Sequence, residues 1–149
     1  MTVEPMTTTE VFSSSRSRNL IAAYAAECSI DLIGPIDPQP DMYEAMEKAG
    51  ILRCFGVLDE KELVGFATVL ISKLPHYGKR IATMESLFVG GPYRKLGAGT
   101  ELLRAVEDYA RARGCTVLFY SAPAGSQLER LLAAKKAIVR TNTIFCKAV

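Results

Sequence analysis

A chain of 149 residues has room for one hydrophobic core and not for two, so a single domain spanning residues 1–149 is expected. Lys and Arg number 18 against 16 Asp and Glu, and the formal charge of +2 gives no electrostatic footprint for a nucleic-acid or membrane partner. The only histidine is His76 and the four cysteines (Cys28, Cys54, Cys115, Cys146) are far apart with no C-x-x-C, which excludes a multi-imidazole site and argues against a zinc ribbon or dithiol. No metal site is expected, and each cysteine reads as a small buried hydrophobe. No apolar run reaches the ~18 residues of a membrane span, and the start lacks the features of a signal peptide. The sequence therefore reads as reduced and cytoplasmic.

In chain order, Thr8 to Phe12 could form a short edge strand. From Ser17, the spacing of Leu20, Ile21, Tyr24, Ala25 and Cys28 predicts an amphipathic helix. Three prolines between Gly34 and Pro40 end it, because each removes a backbone donor and fixes φ. Asp41 is then expected to cap a second helix with Glu44 as its capping-box partner, burying Met42, Ala45, Met46 and Ala49 before Gly50 stops it. Next the period changes to two. Ile51–Leu58, Glu62–Ile71 and Arg80–Val89 are separated by turns at Asp59–Lys61 and Leu74–Gly78, which predicts three consecutive antiparallel strands. His76 and Tyr77 fall in the second turn and read as surface residues.

The stretch from Gly90 to Gly99 is a loop with four glycines that opens into a helix from Thr100 to Arg113, ended by Gly114. Cys115–Tyr120 is an apolar strand, so strand, helix and strand form one right-handed crossover with parallel neighbours. A further helix starts near Ser126, where Glu129 stands at capping-box spacing, and turns Leu128, Leu131 and Leu132 inward. Ala137 to Lys147 alternates weakly and reads as one or two terminal strands, whose edge would suit a homodimer.

A glycine loop leading into a helix has the layout of an anion site. The first helical N–H groups lack intrahelical acceptors, and the helix dipole places partial positive charge at the same end. Gly97 and Gly99 let the main chain approach phosphate oxygens, while Arg94 and Lys95 add charge at the rim. A diphosphate fits this arrangement best. Two familiar phosphate motifs fail: Gly97-Ala98-Gly99-Thr100-Glu101-Leu102 has Leu where a dinucleotide fingerprint needs Gly or Ala, and no G-x-x-x-x-G-K-[ST] is present.

Glu85-Ser86-Leu87-Phe88-Val89, then Pro92-Tyr93-Arg94-Lys95-Leu96-Gly97-Ala98-Gly99, then Leu102-Leu103-x-x-Val106 closely resemble the acetyl-coenzyme A motif of the GNAT N-acetyltransferase superfamily. The order of elements resembles that family over almost the whole chain. The resemblance implies an α/β fold (an α+β mixed sheet), mostly antiparallel, with one parallel splayed strand pair and helices on both faces. It implies that backbone groups of Leu87, Phe88 and Val89 pair with the pantetheine arm and that Arg94, Lys95, Leu96, Gly97, Ala98, Gly99 and Thr100 hold the pyrophosphate. The thioester of acetyl-CoA, a co-substrate, would then lie between the strands ending near Val89 and Tyr120.

The implied reaction is direct attack of a primary amine, on a small molecule or protein, on that thioester. Such an amine titrates near ~10.4 and must lose a proton first. Glu85, expected to be buried between strands, is the base by resemblance, and main-chain N–H near Phe88 or Val89 would polarise the carbonyl. Many family members carry an acidic Tyr in the last helix. Here Ala133 stands at that position, and Tyr120 is the substitute candidate. The missing Tyr also motivates a second reading, a coenzyme-binding module with little turnover that acts in sensing or protein interaction. Asp37 and Asp41 could attract a cationic amine at the acceptor side.

Overall fold

A computed structural model describes all residues, 1–149. Its five-stranded sheet has the order β1-β2-β3-β4-β5, with β1 (Thr2–Met6), β2 (Leu52–Asp59), β3 (Glu62–Leu74), β4 (Lys79–Val89) and β5 (Val117–Tyr120). The first three pairings are antiparallel and β4 with β5 is parallel. Consecutive strand residues point to opposite faces, and both faces are apolar, so each side of the sheet needs a cover. Phe55, Ala67 and Val89 join the core beneath α4 (Ala98–Ala112) and α5 (Gln127–Ala133). Their neighbours Cys54, Phe66 and Phe88 pack on the other face with Val11 of α1 (Thr8–Phe12) and Leu20 of α2 (Arg18–Cys28). The expected mixed sheet with helices on both faces is what the chain forms.

Several local expectations are corrected. Residues 8–12 are helical and the edge strand lies before them, because Thr7 and Glu10 close a capping box in which Thr7 N donates to Glu10 Oε2 at 2.7 Å. Thr8, almost fully buried, is held by Glu47: its N–H and hydroxyl donate to the two carboxylate oxygens at 2.9 and 3.1 Å. Glu47 lies on α3 (Pro40–Lys48), whose cap is Gln39 and not Asp41, since Pro40 takes the first helical position, where its missing N–H costs nothing. The inward side of α3 carries Tyr43, Met46 and Glu47, while Met42, Ala45 and Ala49 are exposed. α5 is capped by Ser126 Oγ, which accepts from Glu129 N, but Glu129 reaches back to Gly125 N, and Leu131 is exposed. Residues 137–147 form no strand; β5 offers only a four-residue edge, and Ile144 and Phe145 stay exposed. Of the cysteines, only Cys54 is fully buried, and Cys146 is exposed.

Candidate active site

The site is built where β4 and β5 part. Their pairing runs from Ile81 with Val117 to Met84 with Tyr120, and Ser121 N adds one last bond to Met84 O at 2.9 Å. β4 continues for five residues, to Val89, with β3 as its only strand neighbour. The divergence has a local cause. Thr68 faces Ser86 and the adjacent Val69 faces Met84, so Glu85 is the extra residue of a β-bulge, a device that bends and twists the strand bearing it. Beyond the bulge β4 hugs β3 at Gly65, where a Cβ would come within 3.0 Å of Phe88 O. One side of Leu87, Phe88 and Val89 is thus left without a strand neighbour.

A one-turn 3₁₀ segment, Gly91–Tyr93, leads from β4 towards α4. Gly97 caps α4 with φ +89°, a left-handed conformation that favours glycine, and nothing of the protein lies within 4 Å of where its Cβ would be. Thr100 N and Glu101 N both donate to Gly97 O. The N–H groups of Lys95, Gly97, Ala98 and Gly99 have no acceptor in the protein. Four unpaired amides at a helix start, beside an open space that only glycine leaves clear, fit a pyrophosphate. Lys95 is exposed and makes no ion pair, so its charge is free for an anion.

Arg94 is used differently from the expectation. Its Nε donates to Val89 O at 2.8 Å, its Nη2 pairs with Glu27 of α2 at 2.6 Å, and its guanidinium lies 5.2 Å from the Phe88 ring centre. The side chain fastens α2 to the end of β4, leaving its backbone to the loop. Tyr120 is likewise engaged: its hydroxyl donates to Glu107 Oε1 at 2.8 Å. Burial, reinforced by that carboxylate, pushes the phenol well above the usual tyrosine range. Glu85 is exposed, not buried between strands as expected, and has no hydrogen bond or ion pair.

Glu85 and Ser86 line an open cavity of ≈ 130 Å³ together with Phe12, Tyr24, Tyr43 and the Ile36-Asp37-Pro38 segment. Phe12 and Tyr43 stack at 5.3 Å, and Tyr24 sets its ring edge-on to Phe66 and Phe88 at 5.2 and 5.6 Å. Burial pushes the Tyr24 and Tyr43 phenols up, and the negative charge of Glu85 adds to both shifts. Asp37 therefore reaches the site, whereas Asp41 sits in the first turn of α3, and His76 and Tyr77 stay in the exposed β3–β4 turn. Sequence reasoning missed Tyr43, Glu27 and Glu107. Tyr43 carried a signal, since the true buried stripe of α3 includes it; the partners of Glu27 and Glu107 lie 67 and 13 residues away and left none.

The model of the acetyltransferase (GNAT) family matches residues 20–129. The chain belongs to the GNAT acetyltransferase family. A search of curated proteins finds no match. Among solved structures, the ribosomal-protein-alanine N-acetyltransferase of Brucella melitensis biovar Abortus 2308 superposes with TM-score 0.71 at 18% identity, over 99% of this chain and 98% of that one. An aminoglycoside acetyltransferase from an uncultured soil metagenomic sample, in complex with sisomicin, gives 0.75 at 16% identity over 99% and 95%. Aminoglycoside N-acetyltransferase AAC(6')-Iy in complex with CoA gives 0.68 at 18% identity, over 98% of each chain. At these identities the likeness is one of fold. No helix is long and apolar enough to cross a membrane.

Proposed function

We propose that the protein is an N-acetyltransferase that moves acetyl from acetyl-CoA to a primary amine. The observation that carries this reading is the parting of β4 from β5 at Met84 beside the unpaired amides of Lys95, Gly97, Ala98 and Gly99. Those amides would hold the pyrophosphate, the open side of Leu87–Val89 the pantetheine arm, and the sulfur would enter the gap near Tyr120. The acceptor enters from the cavity at Glu85. Its ammonium gives a proton to the Glu85 carboxylate, directly or through water, and the neutral nitrogen attacks the thioester carbon. The C–N bond forms, the C–S bond breaks, the nitrogen releases its second proton to solvent as the amide forms, and a backbone N–H near Phe88 or Val89 stabilises the carbonyl oxygen. The thiolate leaves and takes its proton from solvent, since Tyr120 is committed to Glu107 and the last helix has Ala133 where an acid would stand.

That commitment of Tyr120 also favours a second reading, a module that binds coenzyme A with little turnover. Thiol release measured over a panel of primary amines, beside coenzyme A binding by calorimetry, separates the two. Release that falls in Glu85→Gln supports the enzyme; tight binding with no release on any acceptor supports the module.

A further inference from the structure

The acceptor cavity has an unusual charge balance. Of its eight lining residues two are carboxylates, Asp37 and Glu85, and none is basic. Glu85 makes no ion pair, and the only partner of the Asp37 carboxylate is the neutral Gln39 side-chain amide, 2.9 Å away. The two come from different layers, one from the β4 bulge and the other from the segment joining α2 to α3. Asp37 precedes Pro38, which restricts it to extended backbone, so the loop presents it without much freedom to lose on binding. Phe12, Tyr24 and Tyr43 supply apolar and π-rich walls, suited to methylenes and to an ammonium over a ring.

We infer that the acceptor is a short, unbranched amine bearing a second positive charge, with its reacting nitrogen at Glu85 and its second ammonium held by Asp37 as the specificity-determining residue. No third acidic, His or Cys group joins the two carboxylates. An organic dication needs only one carboxylate at each end. The size agrees: a cavity of ≈ 130 Å³ that opens to solvent has room for a chain of several methylenes. The cavity's role as acceptor site rests on the acetyl-transfer reading, but recognition of a dication does not need turnover.

The test compares butylamine with 1,4-diaminobutane at one pH, in wild type and in Asp37→Asn. Thiol release should show kcat/KM higher for the diamine by about tenfold or more, as a charge-assisted hydrogen bond of ~1.5–3 kcal/mol allows. Asp37→Asn should bring that ratio close to one while coenzyme A affinity holds, which certifies the fold. Equal rates on the two amines in wild type, or a ratio unchanged in the variant, overturns the inference and leaves the transferase reading standing. Calorimetry of each amine into protein saturated with coenzyme A covers the remaining case. Diamine binding that is lost in Asp37→Asn, without thiol release, upholds the inference and refutes the transferase reading; no binding and no release refutes both.

Discussion

Gly97→Ala tests the anion cradle at its narrowest point. The residue sits at φ +89° with open space around the missing Cβ, so an alanine meets no clash within the protein but must hold a left-handed backbone. That conformation costs a non-glycine residue about 1–2 kcal/mol. At about 2–4 °C per kcal/mol for a domain of this size, Tm should fall by about 2–8 °C. The methyl also enters the space faced by the unpaired amides. Displacing a phosphate oxygen from one of them removes a charge-assisted hydrogen bond of about 1.5–3 kcal/mol, which is about 10–100-fold in the Kd for coenzyme A. Gly78→Ala is the control, because Gly78 has φ +63° in the distant β3–β4 turn and equally open space. Both variants should lose comparable stability by thermal melting, and calorimetry should show weakened coenzyme A binding in Gly97→Ala alone. Undiminished binding in Gly97→Ala, with the stability loss present, would refute the cradle.

Glu85→Gln should lower kcat for thiol release by at least about a hundredfold, the low side of what a general base contributes, with coenzyme A affinity unchanged by calorimetry. Tyr120→Phe removes the hydrogen bond to Glu107 and should cost about 1 kcal/mol by denaturant melting, with less effect on release than Glu85→Gln; a larger effect would restore Tyr120 as the acid. Glu47→Ala leaves the N–H and hydroxyl of buried Thr8 without partners, so a loss of about 1–3 kcal/mol is expected by the same melt. Burial pushes the Cys54 thiol from 9.0 up to about 12, so the unfolded chain ionises there first and binds fewer protons than the native one as pH rises. The contribution of Cys54 is complete below pH 9.0 and is lost progressively above it, towards about 12; Cys54→Val should flatten that alkaline decline in Tm.

The central strands and the motif helix were legible because their signals are local and repeated. Cys54-Phe55 and Phe66-Ala67 alternate between two cores, and Leu102, Leu103, Val106 and Ala110 keep one helical face. The glycine loop was legible for the same reason, since an open helix start and a φ that favours glycine are written in adjacent residues. What escaped depends on partners far along the chain. Thr8–Phe12 has strand-like composition, yet the Thr7 capping box and the distant Glu47 carboxylate make it a helix. Arg94 looked like a free cation until Glu27, 67 residues earlier, was brought beside it. Glu85 was expected to be buried, but the bulge that opens the sheet also turns it to the cavity, and no residue pattern announces a bulge. The terminal segment had only weak alternation and a four-residue edge to pair with, and it stays out of the sheet.

The most direct measurement is an amide NMR titration of the protein with coenzyme A. If the parted strands and the start of α4 form the coenzyme site, the N–H resonances of Lys95, Gly97, Ala98 and Gly99 shift and saturate together at one equivalent, along with Leu87–Val89. Saturating coenzyme A that leaves those amides unmoved while shifting others would contradict the site and, with it, the enzyme built on it.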